Sequence, residues 1–176
     1  MVALFFISLL FFVIGIFSVT LGCGIPASVS ESYYLLPKTI RLPVFYLWTI
    51  AVAIPLVIFW LDISAGTAQD LIFFGCAFLT FVGVSAPFKD SWLTQQVHLV
   101  SAVFCAFFTQ IWIFIYTPFW IFTISLTILF CAFGIQTKGS LGDGKTAINS
   151  LTFFLELAAF ISVYIGVYGY YQLHFN

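Results

Sequence analysis

Charge is what this sequence has least of. Its 176 residues hold five Lys and Arg and six Asp and Glu, 6% of the chain, where a water-exposed globular surface needs roughly a quarter. That shortage excludes a cytosolic enzyme and a disordered tail. Positive charge is scarcer still, and the formal net charge of -1 leaves no basic footprint for nucleic acid. Cysteine is sparse too: Cys23, Cys76, Cys105 and Cys131 fall in four separate apolar runs, which excludes a disulfide framework and a zinc-finger spacing. They read as small packing residues. What fills the chain instead is apolar: 63% hydrophobic and 21% aromatic residues, with a mean hydropathy of +1.19. The solvent of such a chain is lipid.

The rare charges mark out the membrane segments. A spanning helix needs about 20 apolar residues at roughly 1.5 Å each, and residues 1–30 carry no charge. The first span is therefore placed at 1–24, too long and too poor in N-terminal positive charge for a secretory signal. Further uncharged runs give spans at 42–61 and 71–88. The run from Ser91 to Thr137 has 47 residues, a helix of about 70 Å if continuous, so it must reverse. Tyr116-Thr117-Pro118 supplies the reversal, because proline removes a donor and drives its predecessor out of the helical region. Spans at 93–115 and 118–136 result, and the sixth is 147–171. The expected fold is an all-α polytopic bundle of six membrane helices forming one domain over 1–176.

Lys38, Arg41, Lys89, Lys138 and Lys145 all fall in the loops after odd-numbered spans. Cytoplasmic loops retain such residues, so both termini are expected outside, Asp62 and Asp70 on the far surface, and the protein in the cell (inner) membrane. No linker or internal repeat is visible.

Two ionisable side chains fall within the spans, His98 and Glu156, and intramembrane charge marks function by default. Gln95, His98, Ala102, Cys105 and Thr109 share one stripe of the fourth span. Asn149, Thr152, Glu156, Ala159 and Gly166 share one face of the sixth, with Ser162 and Gly169 beside it. Small and polar residues face neighbouring helices, so the pair is expected to point into the bundle at similar depth, as a catalytic couple or as a hydrogen-bonded tie. After the first span, Ser28 and Glu31 have capping-box spacing, which predicts a short interfacial helix ending before Pro37. Ser28, Ser30 and Glu31 would there cover the cytoplasmic mouth as ligand-binding residues, together with Asp90, Thr94, Ser101 and Asn149. Thr67 and Asp70 repeat the capping spacing, without chemistry. Gly139-Ser140-Leu141-Gly142-Asp143-Gly144-Lys145-Thr146 matches G-x-x-x-x-G-K-[ST], but a phosphate loop needs a parallel sheet to deliver it. Lys145 is read instead as a contact to a lipid phosphate. His174 lies near the outer terminus and cannot share a ligand with His98, and Gln110 belongs to the outer half.

The six spans, the Ser-rich segment with an acid and tyrosines after the first, and Thr94-Gln95-Gln96-Val97-His98-Leu99-Val100-Ser101-Ala102 opening the fourth resemble a bacterial six-helix membrane family of unknown function. That family is distantly akin to the alkaline ceramidase and progestin-receptor (CREST) hydrolases. The resemblance implies a zinc site at the cytoplasmic helix ends acting on a lipid amide, with Thr94 and His98 in the hydroxyl and first histidine places and Asp90 as the acid. The last span departs from it: Glu156 stands where H-x-x-x-H belongs.

Three functions follow as expectations. The first is a lipid- or small-molecule-binding membrane protein with a polar cytoplasmic-side site, metal-assisted hydrolysis being one form of it. No cofactor is required, and a divalent metal held by His98, Glu156 and Asp90 is the one left open, oxygen-rich for zinc. The second is a small proton-linked transporter or channel subunit using the same pair. The third is an accessory subunit whose partner is a second copy or a larger membrane protein. Membrane lipid is the expected partner in every case.

Overall fold

The structure is a computed structural model that describes residues 1–140 and 144–175, with the side chains of 134–150 outside the description. The described residues are all-α, without a strand. The helices are α1 (Val2–Cys23), α2 (Ser32–Leu35), α3 (Arg41–Ile63), α4 (Gln69–Val84), α5 (Trp92–Tyr116), α6 (Trp120–Ser140) and α7 (Gly144–Phe175). Among the described residues, four stretches are long and apolar enough to cross a membrane: Val2–Cys23, Arg41–Ile63, Trp92–Tyr116 and Leu151–Phe175. Gln69–Val84 and Trp120–Phe133, the latter the part of α6 with described side chains, are also apolar but shorter. At 16 residues, α4 reaches about 24 Å, short of a hydrocarbon core of about 30 Å.

Local chemistry sets the helix ends. Ser91, in extended conformation, accepts from the Thr94 amide at 3.2 Å and caps α5. At the other end Thr117 is extended (φ -132°, ψ 147°) ahead of Pro118, as the residue before a proline tends to be. At Thr67 the capping expectation fails. Its hydroxyl turns back to donate to the Ser64 carbonyl at 2.7 Å, and α4 starts at Gln69 without a side-chain cap. The alternative bond within the preceding turn has won.

Neighbouring helices pack in the order α1 on α3, α3 on α4, and α4 on α5, with α6 and α5 against α7. The core joins Phe5 and Phe12 of α1, Phe59 and Trp60 of α3, Ile72 of α4, Trp112 and Ile113 of α5, and Val163 and Val167 of α7. Phe, Leu and Ile side chains cover much of the exterior, among them Phe17, Leu47, Phe73, Ile128 and Leu129. Such an apolar exterior suits lipid.

One buried polar relay ties three helices. The Ser8 hydroxyl donates to the Val52 carbonyl at 2.7 Å and lies 2.7 Å from the Tyr164 hydroxyl. Ser8 has one hydrogen and spends it on Val52, so Tyr164 is the donor to Ser8. The accepting carbonyl is next to that of Ala51, which loses its helical donor because Pro55 has no N–H. Tyr164→Phe is expected to destabilise the bundle by about 1 kcal/mol. Ser8→Ala, which strands the Tyr164 hydroxyl, should cost about 1–3 kcal/mol. Unfolding in detergent micelles would check the order, and a Ser8→Ala variant as stable as wild type would refute it.

The connections after α1 and after α4 and the Phe153 turn of α7 meet at one end of the bundle. The Lys89 ammonium pairs with the Glu31 carboxylate, and the Phe153 amide donates to the Ala27 carbonyl at 3.1 Å.

Candidate functional site

A cavity of about 320 Å³ runs between α3, α4, α5 and α7. Its wall on α3 extends from Phe45 to Trp60, about 22 Å along the helix axis. Glycine and small residues open it: Gly75, Cys76, Ala102, Cys105, Ala106 and Ala159 all border it. The wall is overwhelmingly apolar. Thr49 and Thr109 are in it, but each hydroxyl donates to a carbonyl of its own helix, Phe45 at 2.9 Å and Cys105 at 2.8 Å. Among the described residues, Glu156 is the one acidic side chain in the wall.

The end of the cavity beside Glu156 is closed by a loop, since Val29 and Ser30 form part of the wall. Glu156 holds that loop. Its Oε2 accepts from the Val29 amide at 2.6 Å, and the Ser30 amide also faces the carboxylate. The Val29 side chain is buried against Phe153 and Phe154, one helical turn before the acid. A carboxylate that accepts from backbone N–H groups makes a charge-assisted bond, stronger than a neutral one.

His98 is placed elsewhere. It is buried at the start of α5, its ring stacks on Phe88 with centroids 4.5 Å apart, and Nδ1 lies 3.3 Å from the Ser85 hydroxyl. That hydroxyl donates to the Phe81 carbonyl at 2.6 Å, which leaves His98 Nδ1 as the donor. His98 does not border the cavity, and the hydrogen bonds of His98 and Glu156 run to different elements, the end of α4 and the loop after α1.

The other expected site residues divide between the loop and its surroundings. Ser28 accepts from the Glu31 amide at 3.0 Å. This is half of a capping box, and the turn it closes leads into α2. The other half is absent, because the Glu31 carboxylate reaches Lys89. Ser30 is buried in the cavity wall. Asp90 is exposed in the turn before α5, and Thr94 closes the first turn of α5 against Ser91. Ser101 is buried on α5 without bordering the cavity. The side chains of Asn149, Lys145 and the rest of the glycine-rich motif over 139–146 lie outside the description, as do residues 141–143 altogether. Of the two stripes, Ala102, Cys105, Thr109, Glu156 and Ala159 border the cavity, while Gln95 and Thr152 are exposed.

Around the loop stands a collar of cations and tyrosines. The Arg41 guanidinium lies 4.9 Å from the Tyr33 ring centre and 5.5 Å from that of Tyr34. Lys89 lies 5.0 Å from the Tyr34 centre, and the Lys89 amide donates to the Tyr34 hydroxyl at 2.7 Å. Partial burial raises the Tyr34 phenol above its ordinary range, opposed by that amide.

Among the described residues no three His, Cys, Asp or Glu side chains gather around one point. With His98, Glu156 and Asp90 in separate settings, these residues do not fit the three-ligand cage that a catalytic zinc requires. No protein-family model, curated protein or solved structure matches the chain.

Proposed function

We propose that this protein binds a single-chain amphiphile, a lipid or lipid-like small molecule, inside the membrane. The chain of the ligand lies along the cavity and its head is held by Glu156. The observation that carries this reading is the long, narrow, apolar cavity with one carboxylate at its loop end. Its volume lies at the lower limit of small-molecule sites, and a length of about 22 Å in so small a volume suits one extended chain. An ionised carboxylate only accepts hydrogen bonds, so the complementary head is a donor, an ammonium or a hydroxyl. The lysines and arginine on the loop side support placing the Glu156 end in the inner leaflet.

A proton relay through His98 and Glu156 would need the two side chains together, and the hydrogen bond of His98 runs to Ser85 instead, its ring stacked on Phe88. The likeness to the six-helix hydrolase relatives adds no residue to the reading, since Asp90 and Thr94 stand outside the cavity wall.

Purified protein in dodecylmaltoside micelles should retain radiolabelled dodecylamine in preference to dodecanoate. Glu156→Gln keeps the size of the side chain and removes its charge, so it should weaken retention of the amine about 5- to 15-fold. That is the difference between a charge-assisted and a neutral hydrogen bond. Equal retention of amine and carboxylate, or an unchanged Glu156→Gln variant, would refute the proposal.

A further inference from the structure

The closing loop is a strap rather than a wall. It begins at Gly24, whose φ of 81° is a left-handed conformation that favours glycine, and it runs to Pro37. Between them α2 has only four residues. The contacts that hold it are the Val29 amide on Glu156 with the Ser30 amide beside it, the Ala27 carbonyl on the Phe153 amide, the Glu31–Lys89 ion pair, the Lys89 amide on the Tyr34 hydroxyl, and the buried Val29 and Tyr33 side chains. The first of these is the carboxylate that the cavity presents to a ligand.

We infer that the segment Ile25–Leu36 is a gate over the cavity and that Glu156 is its latch. A donor-bearing ligand head opens the gate by taking the carboxylate from the Val29 and Ser30 amides. The inference rests on the reading of the cavity as a ligand site. The exchange is feasible because the segment lies at the polar end of the bundle, beside Lys89 and Arg41, where amides that leave the carboxylate find water. An amide stranded in hydrocarbon would not. A ligand can shift such a two-state element only by interacting differently with its two states, and competition for one carboxylate supplies that difference. The Glu31–Lys89 pair is a second fastener that touches neither cavity nor ligand, so it tunes the gate without altering the site.

Amide hydrogen exchange of the full chain in micelles tests this, with the Val29 and Ser30 amides as direct reporters of the latch. Glu156→Gln is expected to accelerate exchange at least tenfold across the whole segment 25–36, leaving the middle of α3 unchanged. Dodecylamine added to wild type should accelerate the same segment, whereas dodecanoate should not. Lys89→Gln should also accelerate it and, because the ligand-bound state is the open one, should raise the retention of dodecylamine severalfold. Acceleration confined to Val29 and Ser30, or protection of the segment on amine binding, would overturn the gate. Failure of dodecylamine to bind at all would sink the ligand reading, whereas the Glu156→Gln and Lys89→Gln exchange results would still decide whether the strap opens as a unit.

Discussion

Trp112→Ala is expected to lower the stability of the bundle by about 3 kcal/mol, the low end of the range for deleting a buried aromatic ring. The lower end applies because lipid is itself apolar, so what is lost is packing rather than transfer out of water. Trp112 is fully buried. Its ring meets Trp60 edge-on, with centroids 5.1 Å apart at 85°, and Tyr170 at 5.1 Å and 63°. One residue of α5 thus joins α3 to α7 at the end of the bundle away from the strap. The loss corresponds to a fall in melting temperature of about 6–12 °C for a chain of this length. Trp112→Phe provides the control. The indole N–H of Trp112 is buried without a protein hydrogen-bond partner, so phenylalanine keeps most of the ring contact and removes a stranded donor. Its cost should stay below about 1.5 kcal/mol. Thermal unfolding in micelles compares the two, and equal losses for Ala and Phe would show that the ring contacts are not what matters there.

The helices were legible in the sequence because the signals that make them are local. The apolar runs fall within a few residues of α1 and α3–α7, of which four among the described residues are long enough to cross a membrane, and the Thr117-Pro118 break ends α5 where backbone sterics require. The Ser28–Glu31 spacing located a real turn, with the Ser28 hydroxyl on the Glu31 amide. The same spacing at Thr67 failed, since a threonine can equally bond backward, as it does to Ser64.

The polar partners were less legible. Helical periodicity assigns a residue to a face but does not say which neighbour that face meets, and the faces of Glu156 and His98 meet different ones. The partner of Glu156 is backbone, the Val29 and Ser30 amides, and backbone donors leave no mark on residue type. The one available hint was a run of small polar residues in the loop, which frees amides to point at an anion. The cavity was half legible: Ala102, Cys105, Thr109, Glu156 and Ala159 line it as their stripes implied, while Trp48, Val52 and Leu79 are apolar residues that no pattern distinguishes from ordinary packing.

The close approach of α1 to α3 rests on Gly15, a glycine that no motif sets apart in an apolar run, and it leads to the second large effect. Gly15→Ala is expected to cost about 2–4 kcal/mol. A Cβ at Gly15 would lie 2.1 Å from Nε1 and 2.5 Å from Cε2 of Trp48, so the indole must move. Movement breaks its bond to the Phe11 carbonyl, now 2.9 Å. The expected cost combines overpacking, about 1–3 kcal/mol, with the lost hydrogen bond, about 1 kcal/mol. Gly22, on the same helix, has nothing within 4 Å of its would-be Cβ, so Gly22→Ala should be neutral or slightly stabilising through helix propensity. Because Trp48 also borders the cavity, displacing its ring alters the space for a ligand chain, and Gly15→Ala should reduce dodecylamine retention along with stability. Shrinking the ring relieves the clash, so Gly15→Ala combined with Trp48→Phe should lose less stability than the sum of the two single changes, by about 1 kcal/mol or more. Strict additivity would mean that the glycine is not there to admit the indole.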